Sequence, residues 1–206
     1  MAEIYFCDAE KFAPFYEKML LLLPKERTEK AERLFKQEDK ILSAAAGLMV
    51  TKIFGNDAFD YINFGEHGKP FFEHGKFFSI SHSIRYSVLA VSDNEIGVDI
   101  EMKSSPKNSV AERCFTEEEQ QYAKMSTENF FRIWTAKEAL LKLLGTGFSY
   151  SPKGFSVLPF ESEHEINGIN MRFFFSDING TLLTAAYCGD FEQFTIREFL
   201  PEDFIK

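Results

Sequence analysis

Two carboxylates lie on one side of a short hydrophobic segment near the middle of the chain. Residues 96–101 are Ile-Gly-Val-Asp-Ile-Glu, so an extended strand places Asp99 and Glu101 on the face opposite the three aliphatic residues. Such a pair suits Mg²⁺, which usually takes one or two protein carboxylates and completes its shell with water and substrate phosphates. A strand with a solvated acidic face has the same pattern, so the pair alone leaves both interpretations open.

A second group of chemically active residues is spaced for one face of a helix. Residues 134–142 are Trp-Thr-Ala-Lys-Glu-Ala-Leu-Leu-Lys, which places Trp134, Glu138 and Lys142 four residues apart. Glu138 could complete a carboxylate set, and Lys142 could neutralise a phosphate or protonate a leaving group. A Glu–Lys pair at this spacing is also an ordinary stabilising pair of a helix surface.

A third group combines hydroxyls with a histidine. Residues 77–83, Phe-Phe-Ser-Ile-Ser-His-Ser, can donate several hydrogen bonds to phosphate oxygens. The flanks lack the Gly-x-Ser-x-Gly elbow of serine hydrolases, which argues against a catalytic triad. The hydroxyls could equally form strand or turn hydrogen bonds.

Two further positions carry weaker signals. The tetrapeptide Glu-His-Gly-Lys occurs at 66–69 and at 73–76, and we interpret both copies as turns, with Lys69 the better candidate for a ligand contact. Glu119 ends a Thr-x-x-Glu sequence that begins at Thr116, a capping box in which the glutamate caps the start of a helix. A catalytic role of Glu119 therefore needs independent support.

These groups must be positioned by helices and strands that alternate along the chain. Helices are predicted over residues 8–23, with Asp8 as the cap, over 28–54 and 116–125, and over 127–144, with Gly145 as the C-cap. Strands are predicted over residues 61–64, 77–81, 86–92, 96–101, 155–158, 171–176, 182–188 and 194–199. The order helices-then-strands occurs twice, which predicts two similar α+β lobes, 1–102 and 103–206, with a ligand cleft between them.

The composition is that of a folded, acidic chain. It has 206 residues, of which 45% are hydrophobic and 27% charged, unlike a disordered protein. The net charge is −9 and neither half is basic, which argues against nucleic-acid binding. No apolar stretch approaches the ~20 residues of a membrane span, and the N-terminus lacks the charge order of a signal peptide. The three cysteines, Cys7, Cys114 and Cys188, form no CxxC pair, so we expect a cytoplasmic protein with free thiols.

Four motifs in this chain resemble the 4′-phosphopantetheinyl transferase superfamily, in particular its surfactin-synthetase-activating type. They are Gly-Lys-Pro at 68–70, Phe-Ser-Ile-Ser-His-Ser at 78–83, Ile-Gly-Val-Asp-Ile-Glu at 96–101 and Trp-Thr-Ala-Lys-Glu-Ala-x-x-Lys at 134–142. Residues 113–119, Arg-Cys-Phe-Thr-Glu-Glu-Glu, are also similar to that family's Arg-Phe-Phe stretch, which ends in a glutamate. Each motif alone is weak, but their common order on the expected strand and helix types favours the functional interpretation of these groups.

The resemblance implies a monomer of two α+β lobes related by a pseudo-twofold axis, with coenzyme A and Mg²⁺ bound in the cleft. Such an enzyme moves 4′-phosphopantetheine from coenzyme A to a serine of an acyl- or peptidyl-carrier protein and releases adenosine 3′,5′-bisphosphate. Phosphoryl transfer of this kind needs positioning and charge neutralisation more than covalent chemistry.

The resemblance also assigns roles to individual residues. By family position the metal ligands are three carboxylates, Asp99, Glu101 and Glu138. The coenzyme A phosphates are expected to meet basic and hydroxyl side chains, namely Lys69, Ser81, His82 and Lys142. A serine hydroxyl is a weak nucleophile, so a base must take its proton, and Glu138 is the first candidate, with Glu119 or metal-bound water behind it. Lys142 would steady or protonate the departing bisphosphate.

The resemblance to the family also bears on position 42 and on the segment 113–130. Leu42 stands where the family often has an arginine that meets the ligand, and Lys40, half a turn away, is the available substitute. By family analogy the segment 113–130 docks the carrier protein. Three phenylalanines lie in this segment or directly after it: Phe115, Phe130 and Phe131. They are either apolar anchors for the carrier protein or residues of the core.

Two other function classes stay open at this point. One is a non-catalytic coenzyme A-binding scaffold for carrier proteins, which the loss of a metal carboxylate would mark. The other is a metal-dependent hydrolase of phosphate esters, which would degrade coenzyme A without a protein acceptor. All three carboxylates and Lys142 are present, which favours the transferase.

Overall fold

Two four-stranded sheets and a two-stranded one organise the chain in the computed structural model, which describes residues 1–189 and 193–205. The strands are β1 (Ala2–Asp8), β2 (Asn63–Phe64), β3 (Pro70–Phe71), β4 (Phe77–Ser83), β5 (Tyr86–Ser92), β6 (Ile96–Met102), β7 (His164–Ile166), β8 (Ile169–Ile178), β9 (Thr181–Tyr187) and β10 (Phe194–Glu198). The helices are α1 (Ala9–Phe12), α2 (Tyr16–Leu21), α3 (Lys25–Glu32), α4 (Gln37–Phe54), α5 (Ala58–Tyr61), α6 (Asn108–Cys114), α7 (Glu117–Lys124) and α8 (Thr127–Leu144). Short 3₁₀ helices span Ala13–Phe15, Gly147–Ser149, Pro152–Gly154 and Pro201–Asp203. This mixture confirms the predicted α+β class.

The first sheet has the strand order β10–β1–β5–β4. β1 pairs antiparallel with β5 and parallel with β10, and β4 pairs antiparallel with β5. The long helix α4 packs on this sheet, because its alanine-rich centre, Ala44–Ala46, is buried and allows close approach. Leu42 and Leu48 of the same helix are buried with Phe78 of β4.

The second sheet has the order β6–β9–β8–β7, and each neighbouring pair is antiparallel. The long helix α8 packs on it, burying Ile133, Ala136 and Leu140. The buried hydroxyls of Thr135 on α8 and Thr184 on β9 lie 2.7 Å apart, which ties this helix to the centre of the sheet.

The two sheets exchange strands between the halves of the sequence. β6, which ends at Met102 in the first half, pairs with β9 of the second half, while β10 of the second half pairs with β1. A buried cluster that includes Ile4, Val88, Val98 and Leu183 draws residues from both sheets. The two halves are therefore interlocked, and the division at residue 102 stays a prediction.

The predicted helix over 28–54 is wrong, because the structure has two helices there. α3 ends at Glu32, the chain turns over residues 33–36, and α4 begins at Gln37. The turn lets Arg27 reach α4, where its Nη2 donates to the carbonyl of Ser43 at 2.9 Å. No glycine or proline marks this turn in the sequence, so tertiary packing sets it.

The helix cap predicted at Asp8 is confirmed, whereas the strand predicted over 155–158 is not. Asp8 caps α1 as expected, accepting from the backbone N of Glu10 at 3.1 Å, and the segment around Pro14 becomes a 3₁₀ turn between α1 and α2. The strand predicted over 155–158 is wrong, since its backbone serves side chains instead: the N–H of Val157 donates to Glu119 Oε1 at 2.8 Å. Among the described residues, no helix is both long and apolar enough to cross a lipid bilayer.

Candidate active site

The site begins with the close approach of α8 to β6. A β-carbon at Gly97 would overlap the carbonyl oxygen of Ala139 and would lie 2.9 Å from the α-carbon of Leu143. Only glycine has room at this crossing, so the helix lies directly against the strand. The predicted alternation of β6 is confirmed, because Val98 and its aliphatic neighbours enter the core between the sheets while Gly97 faces α8.

Asp99 is the centre of a buried polar cluster. Its side chain is 5% exposed, and its Oδ1 accepts from Lys142 Nζ at 2.6 Å and from Ser81 Oγ at 2.9 Å. Lys142 also donates to Ser81 Oγ at 2.8 Å, which closes a triangle between α8, β6 and β4. The other oxygen, Asp99 Oδ2, is buried and has no hydrogen-bond partner among the described residues.

Glu101 lies at the end of the same strand, half-buried. Its Oε2 accepts from Ser83 Oγ at 2.9 Å, and its Oε1 accepts from Trp134 Nε1 at 3.5 Å. Burial raises the pKa of Glu101, and the negative charge of Asp99 adds to that effect, while the two hydrogen bonds oppose it.

Glu138 projects from α8 between Trp134 and Lys142. Burial is the main cause that raises the pKa of this carboxyl to about 7, and the charge of Asp99 raises it further, whereas Lys142 opposes the shift. A carboxyl with such a pKa exchanges protons near neutral pH, as a general base requires.

A cleft of about 230 Å³ opens beside these groups. Its walls include Glu138 and Lys142 from α8, Ser79 from β4, and Lys69 and Phe148 from neighbouring loops. Glu138 and Lys142 of α8 thus share one concave surface with Lys69. Four other predicted site residues lie beside the cleft but are not among the described residues that line it: Ser81, His82, Asp99 and Glu101.

Lys69 lies at the end of α8. Its Nζ donates to Glu95 Oε2 at 2.5 Å and to the carbonyl of Leu143 at 2.7 Å, and its side-chain carbons pack beside Gly145. Gly145 has the left-handed conformation of a helix C-cap, with φ 66°, which confirms its predicted position. Lys69 thus borders the cleft while its charge is already paired.

Ser81 and His82 point to opposite faces of β4. Ser81 is buried toward Asp99, whereas His82 is exposed on the face that carries Phe78 and Ile80. Partial desolvation and then the charge of Lys142 lower the pKa of His82, so its imidazole favours the neutral form.

The carboxylates fit a hard cation held by few protein ligands. Among the described residues, no three histidine, cysteine, aspartate or glutamate side chains already form a ligating group. Mg²⁺, however, needs only one or two protein carboxylates when substrate phosphates and water complete its shell. The unpartnered oxygen of Asp99 is a ligand available for this purpose, and the charge of Glu101 contributes to the raised pKa of Glu138.

Glu119 is not brought to the cleft. It is completely buried, and its Oε2 accepts from the backbone N of Thr116 at 2.7 Å and from Lys137 Nζ at 2.8 Å. The capping box predicted from Thr116 and Glu119 is confirmed. Lys137 also donates to the carbonyls of Pro152 and Phe155, so this ion pair joins α7, α8 and the following loop. The structure therefore gives Glu119 a structural task.

A basic pocket that the sequence analysis did not identify adjoins the cleft. It measures about 470 Å³, and Arg27, Lys30 and Arg33 of α3 and its C-terminal end supply its positive charges. Pro70 and Ile80 line both this pocket and the cleft. Three bases spaced by three residues were the available sequence signal, but Arg27 lies outside the helix predicted over 28–54, so they were not recognised as one group.

The guanidinium of Arg27 is held inside this pocket. It lies over the ring of Phe59, at 5.2 Å from the ring centroid. Its Nε is buried and has no hydrogen-bond partner among the described residues. Leu42 is 1% exposed in the core, and Lys40 is not among the residues that line the pocket or the cleft.

Comparison with known proteins gives this geometry a family. A 4′-phosphopantetheinyl transferase of Bacillus subtilis is 30% identical over 154 residues, which cover 68% of this chain and 68% of the relative. The chain belongs to the 4′-phosphopantetheinyl transferase superfamily. The model of that superfamily matches residues 95–194, which contain β6 and α8.

Two more members of the superfamily are similar to this chain. The 4′-phosphopantetheinyl transferase Sfp of Bacillus subtilis strain 168 is 30% identical over 156 residues, or 68% of either chain. The 4′-phosphopantetheinyl transferase gsp of Aneurinibacillus migulanus is 38% identical over 87 residues, which are 40% of this chain and 37% of the relative.

The phenylalanines of the segment 113–130 in this superfamily member belong to the core. Phe115 is completely buried, and Phe130 and Phe131, the next residue, are 5% and 6% exposed. The structure thus decides between the two interpretations of these side chains in favour of packing. On the same segment, Met125 is 75% exposed, and a groove of about 580 Å³ lies between α6, α7 and α8.

Proposed function

We propose that this protein transfers 4′-phosphopantetheine from coenzyme A to a serine of an apo acyl- or peptidyl-carrier protein and releases adenosine 3′,5′-bisphosphate. The observation that carries the proposal is the contact between Asp99 of β6 and Lys142 of α8 beside the cleft of a superfamily member. The names of the similar proteins support the same reaction type.

A divalent cation, Mg²⁺ in this proposal, would be held by Asp99, Glu101 and Glu138. When bound, it would neutralise the diphosphate of coenzyme A and favour attack on phosphorus. The buried, unpartnered Oδ2 of Asp99 supports this assignment, because an anionic oxygen without a donor is costly unless a cation binds it.

Glu138 acts as the general base. Its carboxylate lies in the cleft and can take the proton of the carrier serine. The serine oxygen then forms a bond to the β-phosphorus of coenzyme A, and the bond from that phosphorus to the bridging oxygen breaks. The electron pair of this bond leaves with adenosine 3′,5′-bisphosphate, and Lys142 supplies positive charge or a proton to the departing group.

The remainder of coenzyme A extends over β4 in this proposal. Lys69 and Ser81 meet the diphosphate, while the basic pocket of α3 takes the 3′-phosphate. His82 lies on the other face of β4, with Phe78 and Ile80 of that pocket, and meets the coenzyme A phosphates from there. The half-buried Arg27 and the adjoining Lys30 supply charge there, and the rings and aliphatic side chains of the pocket suit a nucleoside. The role assigned to Lys40 stays a prediction.

The carrier protein docks on the rim formed by residues 113–130, next to the groove between α6, α7 and α8. The acceptor serine can then reach Glu138 from the side of β6 and Trp134. One chain contains the entire cleft, which supports activity as a monomer.

Intact-protein mass spectrometry tests the function. Apo acyl- and peptidyl-carrier proteins are incubated with the protein and coenzyme A, with and without Mg²⁺, and a carrier with its serine changed to alanine is the control. A magnesium-dependent phosphopantetheine mass gain that needs the serine is expected. Degradation of coenzyme A without carrier modification would support a phosphoester hydrolase, and tight coenzyme A binding without either product would support a scaffold.

A further inference from the structure

The edge strands of the two sheets, β4 and β6, are joined by serine hydroxyls. β4 ends the order of the first sheet and β6 that of the second. The N–H of Val98 donates to Ser79 Oγ at 3.0 Å, Ser81 Oγ donates to Asp99 at 2.9 Å, and the N–H of Met102 donates to Ser83 Oγ at 3.3 Å. Ser79, Ser81 and Ser83, which alternate along β4, thus each hydrogen-bond to β6 through the side chain.

Ser83, the last of these three serines, makes two hydrogen bonds through its hydroxyl. Its hydroxyl accepts from the backbone of β6 and donates to Glu101 Oε2 at 2.9 Å. Ser83 is 8% exposed, so water competes little for this hydrogen bond. The indole of Trp134 approaches the other oxygen of Glu101 from α8, at 3.5 Å.

The hydroxyl of Ser83 therefore sets where the carboxylate of Glu101 points. A glutamate side chain has three rotatable bonds, and ordering it costs conformational entropy each time it binds a ligand. A donor anchored to the backbone of the same strand removes much of that cost beforehand. Groups that orient a metal ligand in this way affect metal affinity although they do not touch the metal.

We propose that Ser83 is a positioning residue that orders Glu101 for the divalent cation, a role that rests on the proposed function. Ser83 acts through Glu101 and contacts neither coenzyme A nor the acceptor serine. Ser81 differs, because its hydroxyl also binds Lys142 and borders the proposed phosphate site.

The chain offers a matched control on the neighbouring strand. Ser87 of β5 is completely buried, and its hydroxyl has no hydrogen-bond partner among the described residues. Ser87→Ala removes the same atom as Ser83→Ala from the same sheet without removing a hydrogen bond to β6. Ser83→Thr and Ser83→Val form a second matched pair, since they have the same shape and only threonine retains the hydroxyl.

The test measures Mn²⁺ binding directly, with coenzyme A present and no carrier protein, from the loss of the free Mn²⁺ signal in electron paramagnetic resonance. For Ser83→Ala we expect about a tenfold weaker Mn²⁺ affinity. Ser83→Thr is expected to bind within about twofold of the unchanged protein, Ser83→Val to bind as weakly as Ser83→Ala, and Ser87→Ala to bind normally.

Carrier modification is then measured on the same samples against Mg²⁺ concentration. The half-saturating Mg²⁺ concentration of Ser83→Ala should rise about tenfold while the rate at saturating Mg²⁺ stays within about twofold. A merely structural defect would instead lower that saturating rate. Unchanged Mn²⁺ affinity in Ser83→Ala, or equal affinities of the threonine and valine variants, would overturn the inference.

The two proposals fail in different ways. If the unchanged protein binds Mn²⁺ but modifies no carrier, the transferase function fails, and the ranking of the Ser83 variants still decides the positioning role. If the unchanged protein binds no Mn²⁺ beside coenzyme A, the metal site fails and the role of Ser83 fails with it.

Discussion

The backbone of Gly97 lies so close to Ala139 that a β-carbon at position 97 would overlap the carbonyl oxygen of Ala139. This contact brings α8 against β6 and sets the distance between the acids of the strand and the side chains of the helix. Since the opposing atoms belong to a helix backbone, they cannot move aside as a flexible side chain would.

Gly97→Ala should therefore separate α8 from β6. We expect a loss of about 3 kcal/mol in the free energy of unfolding, or about 10 °C in Tm for a chain of this size. Thermal melts followed by circular dichroism measure it. Gly154→Ala is the control, because the nearest atom to a β-carbon there is 4.0 Å away. Equal melting temperatures of Gly97→Ala and the unchanged protein would contradict this account.

Asp99→Asn tests the centre of the site. The amide keeps the size of the carboxylate and one oxygen acceptor but loses the negative charge that would bind the cation. We expect carrier modification to fall by more than ~100-fold with a normal circular dichroism spectrum. Asp93→Asn is the control, since Asp93 is exposed and pairs with Lys76 at 3.0 Å on the surface. An Asp99→Asn protein with full magnesium-dependent activity would exclude Asp99 from the mechanism.

Glu138→Gln should make the metal-free protein more stable than the unchanged protein, and this advantage should grow as pH rises. The folded state holds the Glu138 proton up to about pH 7, whereas the unfolded chain releases it near pH 4.5. The free energy of unfolding therefore falls as pH rises from about 4.5 to about 7, because burial disfavours the charged carboxylate in the folded state. The glutamine variant avoids that loss, and we expect it to be more stable by about 1–3 kcal/mol at pH 8.

Urea unfolding at several pH values measures this effect. The difference between Glu138→Gln and the unchanged protein should be small near pH 4.5 and reach its maximum above pH 7. Carrier modification should be lost in the same variant, because the amide cannot take a proton. If the difference in unfolding free energy between the two proteins does not change with pH, burial does not raise the pKa of Glu138.

Glu119 and Lys137 should affect stability rather than catalysis. Lys137→Met leaves the completely buried carboxylate of Glu119 without its cation, and breaking such a pair costs about 3–5 kcal/mol. The double variant Glu119→Gln with Lys137→Met should recover part of this loss. Below its melting temperature, Glu119→Gln should modify carriers at a rate within about threefold of normal. Normal stability together with lost transfer would instead make Glu119 a catalytic residue.

The basic pocket of α3 should distinguish coenzyme A from dephospho-coenzyme A, which lacks the 3′-phosphate. Lys30→Ala combined with Arg33→Ala removes two charges from the pocket, and we expect the KM for coenzyme A to rise about tenfold. The KM for dephospho-coenzyme A should not change. Lys25→Ala is the control, because Lys25 lies on the same helix outside the pocket. Equal effects on both substrates would contradict a 3′-phosphate site.

Local patterns predicted the elements that carry the site. The strand predicted over 96–101 is β6, Ile96–Met102, and the helix predicted over 127–144 is α8, Thr127–Leu144. Alternation with period 2 and apolar spacing near 3.6 residues are properties of neighbouring residues, so they can be read from the sequence. The capping box at Thr116 and the C-cap at Gly145 are local for the same reason.

Long-range pairing explains what the patterns missed. β1 was not predicted, and β10 joins it in the first sheet although almost the entire chain separates them. The break between α3 and α4 brings Arg27 back onto α4, a contact that neighbouring residues do not indicate. These arrangements depend on contacts between distant segments, which a window of neighbouring residues does not contain.

The sequence by itself determined the α+β class, the superfamily motifs, and the element that carries each of the acids Asp99, Glu101 and Glu138. Only the tertiary structure decided which of them meet: Asp99 with Lys142, Ser83 with Glu101, and Glu119 with Lys137. The physical reason is that period and propensity set the direction of a side chain relative to its own element. The partner that it finds depends on how close the elements pack, and at the cleft the missing side chain of Gly97 sets that closeness.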